Sequence, residues 1–201
     1  MAINAVQERA ASLMESSTRY RFEPAQSRFE VQAFATGLLA FLGHNPRFAV
    51  LRFSGALEFP DGEIGRMQVA LSIPAGVLAV ADGATADHRS EIESRMQAEV
   101  LNSAAFPEIE YHAGATKCQR LGEPGRYRIM LVGELSLRGV AHPHGLEVEL
   151  AIYSDQLRLR GETSLFMSNY SIPPVTALAG TIRIGDEVKL AFDLAARTEP
   201  S

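Results

Sequence analysis

The chain alternates between apolar and polar residues over long stretches, and the longest such region is residues 126–152. In its first half, apolar residues or glycine occupy every second position from Ile129 to Leu137, and Arg128, Glu134 and Arg138 lie on the other face. In its second half, every second position from Leu146 to Ile152 is apolar. The pattern predicts two half-buried strands that form a long antiparallel hairpin across a glycine- and proline-containing break at residues 139–143.

Comparable runs recur along the chain and predict most of the remaining strands. They lie at residues 20–23, 29–35, 51–59, 67–73, 109–118, 157–165, 180–184 and 187–196. Short turn sequences, such as Pro60-Asp61-Gly62 and the two-residue Gly185-Asp186, indicate mostly antiparallel neighbours. The sequence therefore predicts an all-β fold with about eight long antiparallel strands.

Alternation alone is compatible with either a closed barrel or a sandwich of two sheets. Two features favour an up-and-down barrel. The predicted strands are long compared with the usual length of about five or six residues, and Gly55, Gly133 and Gly161 lie inside strands, where a barrel must bend sharply. A barrel of about eight strands is just wide enough to hold one small ligand.

Three segments have helical patterns instead. Residues 1–16 form an amphipathic stretch, which we interpret as a brace packed on the domain, with a docking surface as the alternative. Residues 37–43 are apolar on all sides, and residues 87–101 combine a capping box at Ser90 and Glu93 with apolar residues at every fourth position. We expect the last two segments to pack against the outside of the barrel or across its mouth. Residues 1–18 are thus an N-terminal extension, and 19–201 form one domain.

The composition narrows the class of protein. A chain of 201 residues with 46% hydrophobic content can build one sizeable core. The net charge of −5, without a basic run, makes nucleic acid an improbable partner. The single cysteine cannot form an internal disulfide, and residues 1–30 lack the apolar core of a secretion signal. No apolar run reaches the ~18 residues of a transmembrane helix. We therefore expect a cytoplasmic protein.

The sequence offers little for catalysis. The serine-nucleophile, dinucleotide, P-loop and zinc-protease motifs are absent, so we expect neither enzymatic activity nor a cofactor. His142 and His144 are spaced as metal ligands could be, but without a third ligand they are interpreted as residues of a solvated turn. His44 follows the apolar segment 37–43 and is either a hydrogen-bond partner for a polar head group or an ordinary loop histidine.

Four segments resemble the YceI-like family of lipocalin-like lipid-binding proteins. They are RM…VL within residues 95–101, FPEIEY at 106–111, GELSLRGV at 133–140 with Pro143 beyond it, and the stretch from YSI to GDEV within 170–188. Their order and spacing are kept, and the resemblance covers roughly residues 19–197. It implies an elongated antiparallel barrel. The apolar tunnel of such a barrel would hold a long isoprenoid chain, such as a polyprenyl or quinone-type lipid, or a fatty-acid derivative.

From this resemblance and the apolar faces we predict the residues that bind the lipid. They are Phe34, Leu38, Phe41, His44, Phe53, Leu57, Met67, Val69, Leu71, Met96, Leu131, Leu135, Val148 and Leu150. Three functions remain open: carriage, storage or sequestration of the lipid; a histidine-dependent enzyme acting on it; and a ligand-free interaction module in which these side chains fill a solid core. Exposed strand edges and the helix at residues 1–16 further suggest a homodimer.

Overall fold

The computed structural model describes residues 17–36, 45–81, 86–177 and 182–198, so the helices predicted at residues 1–16 and 37–43 lie outside it. The strands are β1 Thr18–Phe22, β2 Arg28–Thr36, β3 Arg47–Val50, β4 Ser54–Phe59, β5 Gln68–Pro74, β6 Leu78–Val80, β7 Glu108–Arg120, β8 Arg126–Leu137, β9 Val140–Ile152, β10 Gln156–Phe166, β11 Thr176–Ala177 and β12 Ile182–Thr198. Helix α1, Ala86–Arg95, continues as a π-helical turn, Met96–Leu101.

The strands form a closed antiparallel barrel whose wall has eight positions, which we call staves. Each stave is either one long strand or two short strands in line. Three staves are broken into two short strands each: β1 with β2, β3 with β4, and β5 with β6. Each stave pairs with the next one along the chain, and β12 closes the circle because it pairs with β10 on one side and with β1 and β2 on the other. The prediction of an up-and-down barrel is confirmed, and the alternative of a two-sheet sandwich is wrong.

The central hairpin is tighter than predicted. Strands β8 and β9 are joined by Arg138 and Gly139 alone, with φ angles of 53° and 73°, as a type I′ turn requires. The predicted break at residues 139–143 is therefore wrong beyond Gly139, and Pro143 lies inside β9 opposite Glu134. Proline fits there because the pairing of β9 with β10 begins only at Val148, so no ladder bond on that side needs its missing N–H.

The turn predicted at Gly185-Asp186 is also wrong. Gly185 and Asp186 do not turn the chain; they form a bulge inside β12, where its register with β2 shifts between Ile184 and Val188. The Asp186 carboxylate accepts hydrogen bonds from the backbone N and the Oγ of Ser168, at 2.7 and 2.6 Å. The bulge thereby holds the neighbouring 3₁₀ turn, Met167–Tyr170, in place.

The predicted capping box at Ser90 and Glu93 is also wrong, because both residues lie within α1. The Glu93 carboxylate instead accepts a hydrogen bond of 2.8 Å from the backbone N of Val80, at the end of β6. This bond ties the helix to the strand that precedes it along the chain.

The interior of the barrel differs between its two halves. In the half that contains the beginning of β8 and the end of β9, the inward-facing side chains pack against one another. Six of them are at most 1% exposed: Leu57, Met67, Ile129, Val148, Leu150 and Leu157. The half nearer to the β8–β9 turn is hollow and faces α1. None of the helices in the part of the chain described is long and apolar enough to cross a membrane.

Candidate functional site

The hollow half of the barrel contains a cavity of about 850 Å³. Most of its lining is apolar, because the inward-facing positions of the strands carry Leu, Val, Ile and Phe. Leu131 and Leu159 lie at its deeper end, and Leu137 and Leu165 lie nearer to the mouth. Pockets that bind small molecules commonly have volumes of about 300–1,000 Å³ and mostly apolar walls, so the cavity is suited to an apolar ligand.

The helical segment after β6 lies over the mouth of the cavity. Ile92 of α1 and Met96, Val100 and Leu101 of the π-helical turn contribute to the lining. We call residues 86–101 the lid helix. The expectation that this helix packs against the barrel or across its mouth is confirmed, and the reason is physical: its apolar side chains have no other surface against which to become buried.

Arg95 ties the lid helix to β11. Its guanidinium donates two hydrogen bonds to the Glu99 carboxylate, at 3.0 and 3.1 Å, and a third of 2.8 Å to the backbone carbonyl of Thr176 in β11. Arg95 also lines the cavity, as does Glu91 one turn earlier. The fork of the guanidinium suits such a connection because it presents several donors in fixed directions.

A small polar cluster interrupts the apolar wall. The Nε2 atom of His144 lies 3.3 Å from the Oγ1 atom of Thr163, and both residues line the cavity. The Tyr111 ring meets the His144 ring edge-on at 6.1 Å, and the Tyr111 hydroxyl donates to the His144 backbone carbonyl at 3.3 Å. We call Tyr111, His144 and Thr163 the polar triplet.

The polar triplet lies where two staves separate. Strands β9 and β10 pair with each other in the solid half, from Val148 opposite Gly161 to Ile152 opposite Leu157. They do not pair in the hollow half. His144 belongs to the unpaired part of β9 and Thr163 to the corresponding part of β10. Their side-chain contact therefore bridges the gap between the strands, and we call this gap the β9–β10 split.

Burial keeps the polar triplet uncharged at neutral pH. Removal from water lowers the pKa of His144, and the nearby His142 lowers it further. Burial also raises the pKa of Tyr111 to about 12. A neutral imidazole carries one donor and one acceptor. The cluster can therefore give and accept hydrogen bonds without placing a charge in the cavity.

A second pair of rings lies at the mouth end of β9. His142 and Tyr170 meet edge-on with centroids 5.8 Å apart. The Tyr170 side chain is almost completely buried, and its hydroxyl has no hydrogen-bond partner among the residues that the structure describes. Burial raises the pKa of this phenol, so it stays protonated.

Some predicted lipid-binding residues line the cavity. Val69, Leu71, Met96, Leu131 and Leu135 do so. Leu38, Phe41 and His44 lie outside the described residues.

Six of the predicted residues lie elsewhere. Leu57, Met67, Val148 and Leu150 are packed in the solid half of the barrel. Phe53 is buried against the edges of Phe22 and Phe29 and does not reach the cavity. Phe34 is on the outer face of β2, where the Nζ atom of Lys189 lies 5.6 Å from its ring centroid. Their placement in the tunnel lining is corrected accordingly.

Sequence reasoning missed the polar triplet. The spacing of His142 and His144 indicates a solvated turn, yet His144 shares its strand face with the buried Leu146 and is itself half-buried. The signal was available: His142 and His144 have the same parity as Leu146, Val148 and Leu150. Within the described ranges, no three His, Cys, Asp or Glu side chains come close enough together to hold a metal ion.

Comparison with known proteins agrees with this architecture. A family model described as the YceI-like domain matches residues 20–196 of the chain. No protein with a curated description matches it significantly.

Several solved structures have a similar fold. A polyisoprenoid-binding domain from Saccharophagus degradans, implicated in plant cell wall breakdown, superimposes with a TM-score of 0.66 at 13% identity, covering 90% of this chain and 98% of that chain. Burkholderia cenocepacia BcnA gives 0.63 at 13% identity, with coverage of 87% and 98%. The Campylobacter jejuni YCEI protein gives 0.52 at 11% identity, with coverage of 75% and 82%.

Proposed function

Since the chain belongs to the YceI-like family, we propose that it binds a long-chain apolar lipid of isoprenoid, quinone or fatty-acid type in its cavity, for carriage, storage or sequestration. The observation that supports this most strongly is the apolar cavity of about 850 Å³ under the lid helix. A structural neighbour described as a polyisoprenoid-binding domain is consistent with the proposal.

The size of the cavity suits a chain of moderate length. If each non-hydrogen atom takes ~30 Å³, the share of a water molecule in the liquid, the 850 Å³ cavity has room for roughly 28 such atoms. Each buried methylene contributes about 0.8 kcal/mol, so ten of them give roughly 8 kcal/mol before the cost of ordering the chain is subtracted. Micromolar binding therefore needs no charged contact.

We propose binding without turnover. The Nε2 atom of His144 is paired with a threonine hydroxyl, not with a carboxylate that would orient the ring as a general base. A histidine-dependent reaction on the lipid is the second candidate, because His144 does face the cavity. Incubation with a bound lipid and analysis of the extract distinguishes them, since only an enzyme would change the lipid.

The first test is native mass spectrometry of the purified protein, followed by extraction with organic solvent. We expect a non-covalent adduct that the solvent removes and that proves to be a long-chain lipid. Protein that carries no extractable lipid and binds none when it is offered in detergent would contradict the proposal and favour a ligand-free interaction module. A cytoplasmic location is a separate proposal, and cell fractionation tests it.

A further inference from the structure

We propose that this chain selects a lipid with an uncharged polar head group, such as an alcohol, a phenol or a quinone carbonyl, and that His144 and Thr163 recognise that group inside the barrel. This inference rests on the proposed function and adds to it the chemical class of the head group and the residues that bind it.

The geometry of the pair leaves room for a third partner. The separation of 3.3 Å between Nε2 of His144 and Oγ1 of Thr163 is longer than the usual hydrogen-bond distance of about 2.7–3.2 Å. This one bond does not use the full hydrogen-bonding capacity of either residue. A threonine hydroxyl has one donor and two acceptor positions, and a neutral imidazole has one of each. A hydroxyl or carbonyl oxygen of a ligand can bond to both residues.

The position of His144 and Thr163 explains why two polar side chains can lie together on the inner wall of the barrel. His144 and Thr163 face each other across the β9–β10 split, where no backbone ladder joins the two strands. Apolar residues lie around the pair, with Leu146 next to His144 on β9 and Leu165 next to Thr163 on β10. Among the strand residues that line the cavity, the hydrogen-bonding side chains are thus confined to the polar triplet, which fits a lipid with one compact polar group.

The charges around the cavity disfavour an anionic head group. Among the described lining residues only Glu91 and Arg95 are formally charged at neutral pH. Three of the five N–H donors of Arg95 are already engaged, by both carboxylate oxygens of Glu99 and by the Thr176 carbonyl. A diphosphate would need arginine or lysine side chains with free donors. The two donors that remain on Arg95 would compensate a diphosphate only in part for the water that it loses, and the shortfall is costly.

The test compares three isoprenoid probes with different ends: geranylgeraniol, which is a neutral alcohol; geranylgeranyl diphosphate; and phytane, a hydrocarbon without a head group. Equilibrium binding is measured with the full chain. We expect geranylgeraniol to bind at least about tenfold more tightly than the diphosphate. We expect it to bind about fivefold more tightly than phytane, the effect of roughly one net hydrogen bond.

Two variants test whether His144 and Thr163 cause the difference in affinity between geranylgeraniol and phytane. His144→Phe and Thr163→Val should each bring the affinity for geranylgeraniol to within about twofold of that for phytane, and phytane binding should not change. The matched control is His112→Phe, because His112 is an exposed histidine on the outer face of β7. This control should bind all three probes as the wild type does.

The outcomes separate the two proposals. Diphosphate binding as tight as alcohol binding would overturn the head-group inference and leave lipid binding intact. So would an equal loss of all three probes in His144→Phe, because that loss would indicate a structural role. Failure of the wild type to bind any of the probes would contradict the proposed function itself, and the head-group inference would fall with it.

Discussion

At the scale of single residues, glycine determines how closely the staves approach one another. A Cβ atom on Gly133 would lie 1.9 Å from the backbone carbonyl oxygen of His112, and one on Gly55 would lie 2.0 Å from that of Ala70. Gly55 also has a φ of 141°, which side chains rarely permit. These contacts agree with the expectation that glycines within the strands mark sharp bends of the barrel wall.

The first prediction is that Gly133→Ala destabilises the fold. The new methyl group would collide with backbone atoms of β7, which cannot move without shifting the sheet. We expect a loss of about 1–3 kcal/mol in the free energy of unfolding, measured by urea denaturation. Gly122→Ala is the control, since a Cβ there has no neighbour within 4 Å, and it should change stability by less than about 0.5 kcal/mol. Equal stability of the two variants would show that the wall is not close-packed at Gly133.

The second prediction concerns pH. Burial first, and His142 second, lower the pKa of His144 in the folded state. The unfolded chain, with a histidine pKa of about 6.5, therefore binds a proton before the folded protein does. The stability contribution is complete above that pH and is lost as the pH falls below it, toward the lower folded-state pKa.

Denaturation at pH 7.5 and pH 5.5 tests the direction of this pH dependence. The wild type should lose more stability between the two pH values than His144→Gln does, because the glutamine does not titrate. The comparison removes the contribution of other groups that titrate in both proteins. An identical loss in the two proteins would mean that His144 is solvated as an ordinary surface histidine.

At the scale of elements, the alternating pattern predicted which side chains face the interior better than it predicted where each strand begins and ends. The inward faces of β8, β9 and β10 follow the predicted parity. Where a strand ends or breaks depends on the strands that pair with it, and a local sequence pattern carries no information about them. The turn expected at Gly185-Asp186 is a bulge because β12 keeps neighbours on either side of it. The strand expected at 51–59 begins only at Ser54, because Leu51 to Phe53 lie outside the sheet, between β3 and β4.

Depth along the barrel was the part of the site that the sequence could not show. Met67 precedes β5 and is completely buried, whereas Val69 and Leu71, at the following positions of the same parity, line the cavity. Parity separates inside from outside, but which inward residues meet empty space depends on how far the staves diverge. The β9–β10 split leaves no periodic signal, because it depends on which strands pair. The helical pattern of residues 87–101 indicates the lid helix but not how deep the cavity beneath it extends.

The third prediction is that Arg95→Ala speeds the release of bound lipid. The substitution removes the hydrogen bond that joins the lid helix to the Thr176 carbonyl, together with the bonds to Glu99 within the helix itself. Because the side chain is partly exposed, we expect global stability to change by less than about 1 kcal/mol. The rate of lipid transfer to acceptor vesicles should rise several-fold.

The control for the lid is Arg128→Ala, which removes exposed ion pairs with Glu147 and Glu149 on the outer face of the central hairpin. It should leave the transfer rate unchanged. If Arg95→Ala also releases lipid at the wild-type rate, the lid helix does not control exit, and the β9–β10 split becomes the better candidate for the route.

At the scale of the whole molecule, the barrel combines a solid half with a hollow half. The solid half supplies most of the fully buried side chains, so it stabilises the fold independently of ligand. The hollow half has the less continuous wall, with unpaired stretches of β9 and β10 on either side of the split. Unpaired strand segments are the usual sites at which a second chain can add to a sheet.

The fourth prediction is therefore the homodimer expected from the sequence. Light scattering at high micromolar concentration should give about twice the chain mass of 21.8 kDa. A mass that stays at the single-chain value at this concentration would show that the open edges of β9 and β10 do not associate.

The last prediction tests whether the ligand lies in the barrel. Leu135 lines the cavity from β8. Leu135→Asp would place a carboxylate against the lipid chain, which costs several kcal/mol or draws water into the cavity. We expect this variant to purify without lipid. Circular dichroism must show that it is folded. Phe34→Asp is the matched control, because Phe34 lies on the outer face of the same barrel, and it should keep its lipid. A folded Leu135→Asp protein that carries as much lipid as the wild type would place the ligand outside the barrel.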